Sequence, residues 1–252
     1  MTSTLALNSD VAGPPDAPVL VVGPSLGTTF HMWDPQFAAL SQRFRVVRYD
    51  HLGHGASAVP PGPYTVDQLA DAVVSLVDGI GVERFHYLGL SLGGMVGMTI
   101  ASRLPDRVDR LALMCTSAYL PPESGWRDRA ATVRAHGTAS ISEGAIGRWF
   151  TPAFTDTKPY TDMLAATPDE GYAACCEAIA AMDIRSRIGK ISAATMVIAG
   201  TADPATPPDH GRLIAGTVPG ARFELVEASH LANVERPAEV TALLLDHLGG
   251  AA

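Results

Sequence analysis

Cysteine is scarce in this sequence. Its occurrences, Cys115, Cys175 and Cys176, form an odd set with two adjacent members. Such a set does not suit a disulfide framework, and no C-x-x-C or paired His/Cys spacing indicates a metal site. We therefore expect a reducing, cytoplasmic location and no bound metal.

Basic clusters and long apolar runs are also lacking. Charged residues make up 17% of the 252 residues, and the formal net charge is −8. Because no lysine or arginine cluster interrupts this acidic balance, we expect no nucleic-acid partner. The first residues lack a basic segment followed by a long apolar run, and no apolar run is long enough to span a bilayer. We expect neither a signal peptide nor a membrane partner.

Short apolar runs, by contrast, recur along the chain, of which 47% is hydrophobic. Continuous runs of this kind are typical of parallel strands buried on both faces. Helical patterns separate them, most clearly over 65–79, with Thr65 as a possible N-cap, and over 237–248. The alternation predicts an α/β fold with a mostly parallel, twisted sheet flanked by helices. The predicted strands are 19–22, 45–49, 85–90, 111–115, 196–199 and 223–226.

One region breaks this alternation. Residues 120–189 contain helical patterns over 126–135, 141–150 and 169–182 but no convincing strand. The sequence therefore predicts a core formed by 1–119 and 190–252, with 120–189 as an inserted helical cap over the carboxyl ends of the strands. The alternative is that these helices only pad the core. A cap is favoured by the aromatic and arginine residues of the insertion, namely Trp126, Trp149, Phe150, Phe154, Arg127, Arg129, Arg134 and Arg148.

The most informative motif is G-x-S-x-G, spelled Gly89-Leu90-Ser91-Leu92-Gly93, between a predicted strand and a helical segment. A serine hydroxyl becomes a useful nucleophile when a sharp strand-to-helix turn presents it beside a base. The alternative is an ordinary glycine-rich turn after a buried strand. The context favours Ser91 as the nucleophile of a hydrolase.

A serine nucleophile needs a base, and the base needs an orienting acid. His230 follows the last predicted strand and precedes the final helix, so it should lie at the same sheet edge as Ser91. Asp203 follows the strand 196–199 and is the preferred acid, with Asp209 and Glu227 as rivals. The order Ser, Asp, His along the chain is that of one hydrolase architecture.

An oxyanion formed at Ser91 needs backbone N–H donors. Leu92, at the start of the helix after Ser91, supplies one. The loop after the first buried strand supplies the second, for which we select Leu26, with Ser25 or Gly27 as alternatives one residue away.

Further stretches extend this pattern over nearly the whole chain. They are Ser25-Leu26-Gly27-Thr28, His31-Met32-Trp33-Asp34, Tyr49-Asp50-His51 with Gly53-His54-Gly55-Ala56-Ser57, Gly171-Tyr172 with Cys175-Cys176 and Ala181-Met182-Asp183, and Ala228-Ser229-His230 to Arg236-Pro237. With these residues the chain resembles the α/β-hydrolase superfamily and, within it, the 3-oxoadipate enol-lactonases. It departs from many superfamily members in having Pro24-Ser25 before the oxyanion residue and Leu52 where they carry arginine.

The resemblance implies the α/β-hydrolase fold and the triad Ser91, Asp203 and His230. It also implies hydrolysis of 3-oxoadipate enol-lactone to 3-oxoadipate in aromatic catabolism, the β-ketoadipate pathway, with no cofactor.

The substrate would then be a small lactone bearing a carboxylate, and a guanidinium should bind that carboxylate. Arg134 is the preferred residue, with Arg148 and Arg129 as alternatives. Trp126 and Trp149 are expected to line the substrate pocket.

Other functions could use the same three residues. Within enzymes, these are a general carboxylesterase, a cofactor-free perhydrolase and a carbon–carbon bond hydrolase. A ligand receptor on the same fold is the non-enzymatic alternative.

Overall fold

A seven-stranded sheet forms the centre of the protein. The computed structural model describes residues 6–250. Each predicted strand is present, which confirms the predicted fold class, and one short strand at the sheet edge, β1, was not predicted. The strands are β1 (Ser9–Ala12), β2 (Val19–Gly23), β3 (Arg45–Tyr49), β4 (Phe85–Leu90), β5 (Val108–Met114), β6 (Ala194–Gly200) and β7 (Arg222–Val226).

The strand order places the carboxyl ends of the parallel strands side by side. The order is β1-β3-β2-β4-β5-β6-β7. Only β1 pairs antiparallel, with β3, and all the other pairs are parallel. The carboxyl ends of β2 to β7 therefore share one edge of the sheet, where ligands bind in open α/β sheets.

Helices flank the sheet. The predicted N-cap of α2 is confirmed, because the Thr65 hydroxyl accepts from the N–H of Gln68 while the Gln68 side chain accepts from the N–H of Thr65. α3 packs on β2, β4 and β5, while α11 packs on β5 and on α1. Outside the β5–β6 interval the helices are α1 (Asp34–Leu40), α2 (Val66–Gly79), α3 (Leu92–Arg103), α9 (Pro208–Thr217), α10 (Ala232–Glu235) and α11 (Pro237–Gly249).

Between β5 and β6 the chain forms helices, with one isolated β-bridge from Tyr119 to Asp183. The three helical patterns of the insertion each coincide with a helix, and two further short helices, α6 and α8, were not predicted. The helices are α4 (Glu123–His136), α5 (Ser142–Trp149), α6 (Lys158–Ala165), α7 (Asp169–Ala180) and α8 (Arg185–Ile188).

α7 joins this helical segment to the rest of the protein at a very close backbone contact. A Cβ on Gly171 would lie 2.1 Å from the carbonyl oxygen of Gly53, in the loop after β3. Only glycine at both positions allows this approach. The adjacent Cys175 and Cys176 are buried in α7, and neither is part of a disulfide.

Residues 6–250 lack two features that would indicate a membrane or a metal site. None of the helices within 6–250 combines the length and the apolar character needed to cross a bilayer. The same part of the chain contains no group of three or more His, Cys, Asp or Glu side chains that could hold a metal ion.

Candidate active site

Ser91 occupies a strained turn between β4 and α3. Its φ of 54° and ψ of −115° lie outside the regions that L-residues usually adopt. The Ser91 N–H donates to the carbonyl of Met114 at 2.9 Å, and its carbonyl accepts from the Thr116 hydroxyl at 2.7 Å. Such strain costs about 1–3 kcal/mol and persists only where surrounding contacts impose it.

The glycines around Ser91 are needed for close packing. A Cβ on Gly93 would lie 2.3 Å from the carbonyl oxygen of Gly23, so a side chain there would separate α3 from β2. This contact explains the small residue at the last position of the G-x-S-x-G motif.

Asp203 and His230 form a buried pair. The His230 Nδ1 lies 2.8 Å from Asp203 Oδ2, and both side chains are at most 4% exposed. Burial raises the pKa of Asp203, but the charge of His230, its hydrogen bond and the donors of Thr206 outweigh burial and lower the pKa to about 2. The carboxylate is therefore ionised at neutral pH. It holds the proton of a neutral imidazole on Nδ1, which leaves Nε2 as an acceptor.

Thr206 completes the surroundings of this acid. Its hydroxyl donates to Asp203 Oδ2 at 2.7 Å, and its N–H and that of Ala205 donate to Oδ1 at 3.0 and 2.8 Å. Sequence reasoning did not single out Thr206. A hydroxyl residue three positions after an Asp-Pro turn is the signal that could have found it.

The loop after β2 presents one free backbone donor. The Ser25 N–H donates to the sulfur of Met32, and the Gly27 N–H donates to His54 Nε2 at 2.9 Å. Within residues 6–250 the N–H of Leu26 has no acceptor. Leu92 is the first residue of α3, so its N–H has no acceptor within the helix.

His51 and His54 hold this loop in place. His51 Nε2 donates to the carbonyl of Pro24 at 2.9 Å, while His54 Nδ1 donates to the carbonyl of Leu52 and leaves Nε2 to accept from Gly27. Burial lowers the pKa of His51 to about 3 and that of His54 to about 4. Both are neutral at pH 7, as these hydrogen bonds require. Nothing in the local sequence indicates that α7 buries the turn that contains both histidines.

Ser91 and His230 line one cavity of about 250 Å³. Leu26 also lines it, and α4 and α5 contribute Trp126 and Trp149, as predicted for these two tryptophans. The remaining lining residues are Ser25, Leu120, Pro121, Pro122, Gly125, Arg129, Ala145, Arg148, Tyr172, Pro204, Ala205 and Thr206.

The cavity is positively charged on an otherwise acidic protein. Arg129 and Arg148 line it, and across residues 6–250 neither guanidinium forms an ion pair with an Asp or Glu side chain. Burial lowers the pKa of Arg148, and the nearby charge of Arg129 lowers it further. Arg129 also lies 4.7 Å from the ring centroid of Trp126. Two cations without an acidic partner at one cavity are suited to an anionic ligand.

Arg134, the preferred partner for a substrate carboxylate, lies outside this cavity. Its guanidinium binds Glu170 through Nε at 2.8 Å and Glu177 through Nη1 at 2.7 Å. The two carboxylates raise the pKa of Arg134 and occupy its donors. The structure therefore places Arg134, the preferred residue, away from the cavity, whereas the alternatives Arg148 and Arg129 lie at it.

The rival residues for the acid lie elsewhere. Asp209 is exposed at the start of α9 and lines a different surface cleft, together with His210. Glu227 is exposed and follows β7 directly. Among the three candidate acids, only Asp203 hydrogen-bonds His230.

The sheet, the turn at Ser91 and the cavity together define a class of protein. Residues 18–237 match the family model described as the alpha/beta hydrolase fold. The chain therefore belongs to the α/β-hydrolase family, as its motifs predict.

Comparison with individual proteins shows which members of this family the chain is similar to. The 3-oxoadipate enol-lactonase 2 of Acinetobacter baylyi is 38% identical over 238 residues, which cover 92% of this chain and 89% of that protein. A solved enol-lactonase from Burkholderia xenovorans is 39% identical with a TM-score of 0.94, covering 97% of this chain and 96% of that one. A solved hydrolase from Pseudomonas aeruginosa is 42% identical with the same TM-score of 0.94, covering 97% and 94%. The resemblance to enol-lactonases is confirmed.

Proposed function

We propose that this protein is a serine hydrolase that opens a small enol-lactone bearing a carboxylate, 3-oxoadipate enol-lactone, to give 3-oxoadipate. The observation that carries the proposal is the placement of Arg129 and Arg148, without acidic partners, in the cavity that also contains Ser91 and His230. The similarity to enol-lactonases over most of the chain supports the same substrate.

Ser91 is the nucleophile of this proposed reaction. Its Oγ forms a bond to the ring carbonyl carbon while its proton passes to Nε2 of His230. The imidazolium is stabilised by the ionised Asp203, to which Nδ1 is hydrogen-bonded at 2.8 Å. The N–H groups of Leu26 and Leu92 stabilise the negative charge that develops on the carbonyl oxygen.

Ring opening follows from collapse of this intermediate. The bond from the carbonyl carbon to the ring oxygen breaks, and His230 returns the proton to the departing enol oxygen. The enol then tautomerises to the ketone, which makes the opening effectively irreversible. Water gives a proton to His230 and attacks the acyl carbon, after which Ser91 Oγ leaves and recovers the proton. The product carries a second carboxylate, and the reaction needs no metal and no organic cofactor.

Arg148 and Arg129 bind the substrate's own carboxylate. A charge-assisted hydrogen bond from either guanidinium is stronger in this half-buried cavity than it would be on the surface. Trp126 and Trp149 form apolar walls for the ring. We assign these residues to a helical cap, residues 120–189, which covers the catalytic edge of the core formed by 1–119 and 190–252.

We place the protein in the cytoplasm and its reaction in aromatic catabolism. Its three cysteines are all free and buried, which suits a reducing compartment. The pathway follows from the proposed substrate, and a small molecule is its expected partner.

A panel of lactones tests the proposal. Hydrolysis of carboxylated and neutral lactones of equal ring size is monitored by ultraviolet absorbance, with p-nitrophenyl acetate as a simple ester. We expect the carboxylated enol-lactone to have the highest kcat/KM. Turnover of the simple ester with none of any carboxylated lactone would instead indicate a general carboxylesterase. Binding without turnover of any member would indicate a receptor.

A further inference from the structure

The loop that carries His230 is hydrogen-bonded to the end of α5. The Ser229 hydroxyl donates to the carbonyl of Arg148 at 2.8 Å, and the Leu231 N–H donates to the carbonyl of Trp149 at 2.9 Å. The side chains of Arg148 and Trp149 line the cavity. The histidine and this wall of the cavity are thus parts of one hydrogen-bonded unit.

Glu235, at the end of α10, joins the two segments a third time. One carboxylate oxygen, Oε1, accepts from the N–H of Thr151 at 2.8 Å and from its hydroxyl at 2.6 Å. The other, Oε2, accepts from the N–H of Ser229. Glu235 is only 9% exposed, and within residues 6–250 it forms no ion pair. Its charge is therefore stabilised by these neutral donors, and such charge-assisted bonds are costly to break.

The donors to Glu235 lie on two different segments of the chain. Ser229 directly precedes His230, and Thr151 follows α5 by two residues. An ionised carboxylate can accept from both sides at once, because each oxygen has two lone pairs. An amide cannot, because one of its two ends is a donor.

We propose that Glu235 is a positioning residue that fixes the His230 loop against the end of α5 and so sets the place of His230 relative to Ser91 and Arg148. The proposal rests on the proposed function for the roles of these three residues. Displacement of a catalytic group by about 1 Å can lower a rate by about 10²-fold. Loss of the hydrogen bonds between Glu235 and either Ser229 or Thr151 should therefore reduce the catalytic rate of a fully folded enzyme.

The variant Glu235→Gln tests this role, with Glu123→Gln as the matched control. Glu123 is an exposed residue of α4 that pairs with Arg127, so the control makes the same chemical change away from the loop. The first readout is the rate at which a fluorophosphonate labels Ser91, well below the melting temperature. We expect labelling to slow by about tenfold in Glu235→Gln and to stay unchanged in the control.

The second readout, kcat/KM for two substrates, separates the effect on His230 from the effect on Arg148. kcat/KM for p-nitrophenyl acetate should fall about as much as labelling does, because both depend on His230. kcat/KM for the carboxylated lactone should fall further, since the end of α5 also carries Arg148. An equal fall on both substrates would overturn the link to α5.

Labelling within twofold of the wild type, with a lower melting temperature, would overturn the proposal and leave Glu235 a purely structural residue. If Glu235→Gln does not fold, Thr151→Val removes one donor and keeps the backbone N–H bond. This variant should slow labelling roughly threefold, and an unchanged rate would also overturn the proposal. Wild-type failure on carboxylated lactones would refute the proposed substrate, while labelling and p-nitrophenyl acetate would still test Glu235.

Discussion

Replacing Arg148 by methionine should weaken hydrolysis of the carboxylated lactone selectively. Methionine keeps most of the length and apolar packing of the arginine stem but cannot bind a carboxylate. A hydrogen bond to a charged group contributes about 1.5–3 kcal/mol. Because Arg129 remains at the same cavity, we expect a loss of about 2 kcal/mol in transition-state binding. Since each 1.36 kcal/mol is a factor of ten, kcat/KM for the lactone should fall about 30-fold.

The same substitution should leave stability intact. Burial and the charge of Arg129 both disfavour the charged form of Arg148, as the lowered pKa of Arg148 indicates. Removing this charge relieves an unfavourable interaction in the free enzyme. The melting temperature should therefore stay the same or rise, and kcat/KM for p-nitrophenyl acetate should change less than threefold, roughly, because that ester has no carboxylate.

Arg134→Met is the matched control in the same helical segment. Arg134 binds Glu170 and Glu177 rather than the cavity, and its side chain is 36% exposed. Its loss should cost about 0.5–1 kcal/mol of stability and little activity on either substrate. An equal loss on lactone and ester in Arg148→Met, or a larger lactone loss in Arg134→Met, would refute the assignment of the carboxylate site.

Two further predictions concern pH. The pKa of Asp203 is lowered to about 2, so its stabilisation is complete above the unfolded pKa near 4 and is lost as pH falls from 4 to 2. In Asp203→Asn, the free energy of unfolding in urea should lose about 2 kcal/mol of its dependence on pH between 4 and 2. The same variant should lower kcat by about 10⁴. An unchanged pH dependence of the unfolding free energy would contradict the lowered pKa of Asp203. The pKa of His54 is lowered to about 4, so the unfolded chain binds the proton first and stability should decline from pH 6.5 to 4. His51, whose pKa is lowered to about 3, contributes to the same decline, so His54→Gln should make the decline shallower without removing it. An equally steep decline in the variant would exclude His54 as one of its sources.

The sheet and the positions of Ser91, Asp203 and His230 along it follow from local sequence. Continuous apolar runs mark parallel strands, and parallel strands end at a common edge. A residue placed directly after such a run is therefore located in space as well as in sequence. The strand β1 was not predicted, because its four residues are partly exposed at the sheet edge and carry no apolar run.

Which side of a helix points toward a cavity is harder to predict from the sequence. Arg129 and Arg134 lie on the same helix, five residues and hence about 140° apart around its axis. One faces the cavity and the other faces the carboxylates of α7. The sequence of α4 shows both arginines but not how the helix docks, so it could not choose between them.

The burial of His51 and His54 depended on a contact between distant segments. Both lie in a glycine-rich turn, and the structure shows that α7 covers it, through the approach of Gly171 to Gly53 and the contact of the Tyr172 ring with His54. Such a contact joins residues more than a hundred positions apart and has no local signal.

The most direct test of the account is the site and rate of fluorophosphonate labelling, read by mass spectrometry of the digested protein. We predict one adduct per chain, on the peptide that contains Ser91, with no labelling of Ser91→Ala and labelling about 10³-fold slower in His230→Gln. An adduct on another residue, or an unchanged rate in His230→Gln, would contradict the assignment of Ser91 and His230 as nucleophile and base.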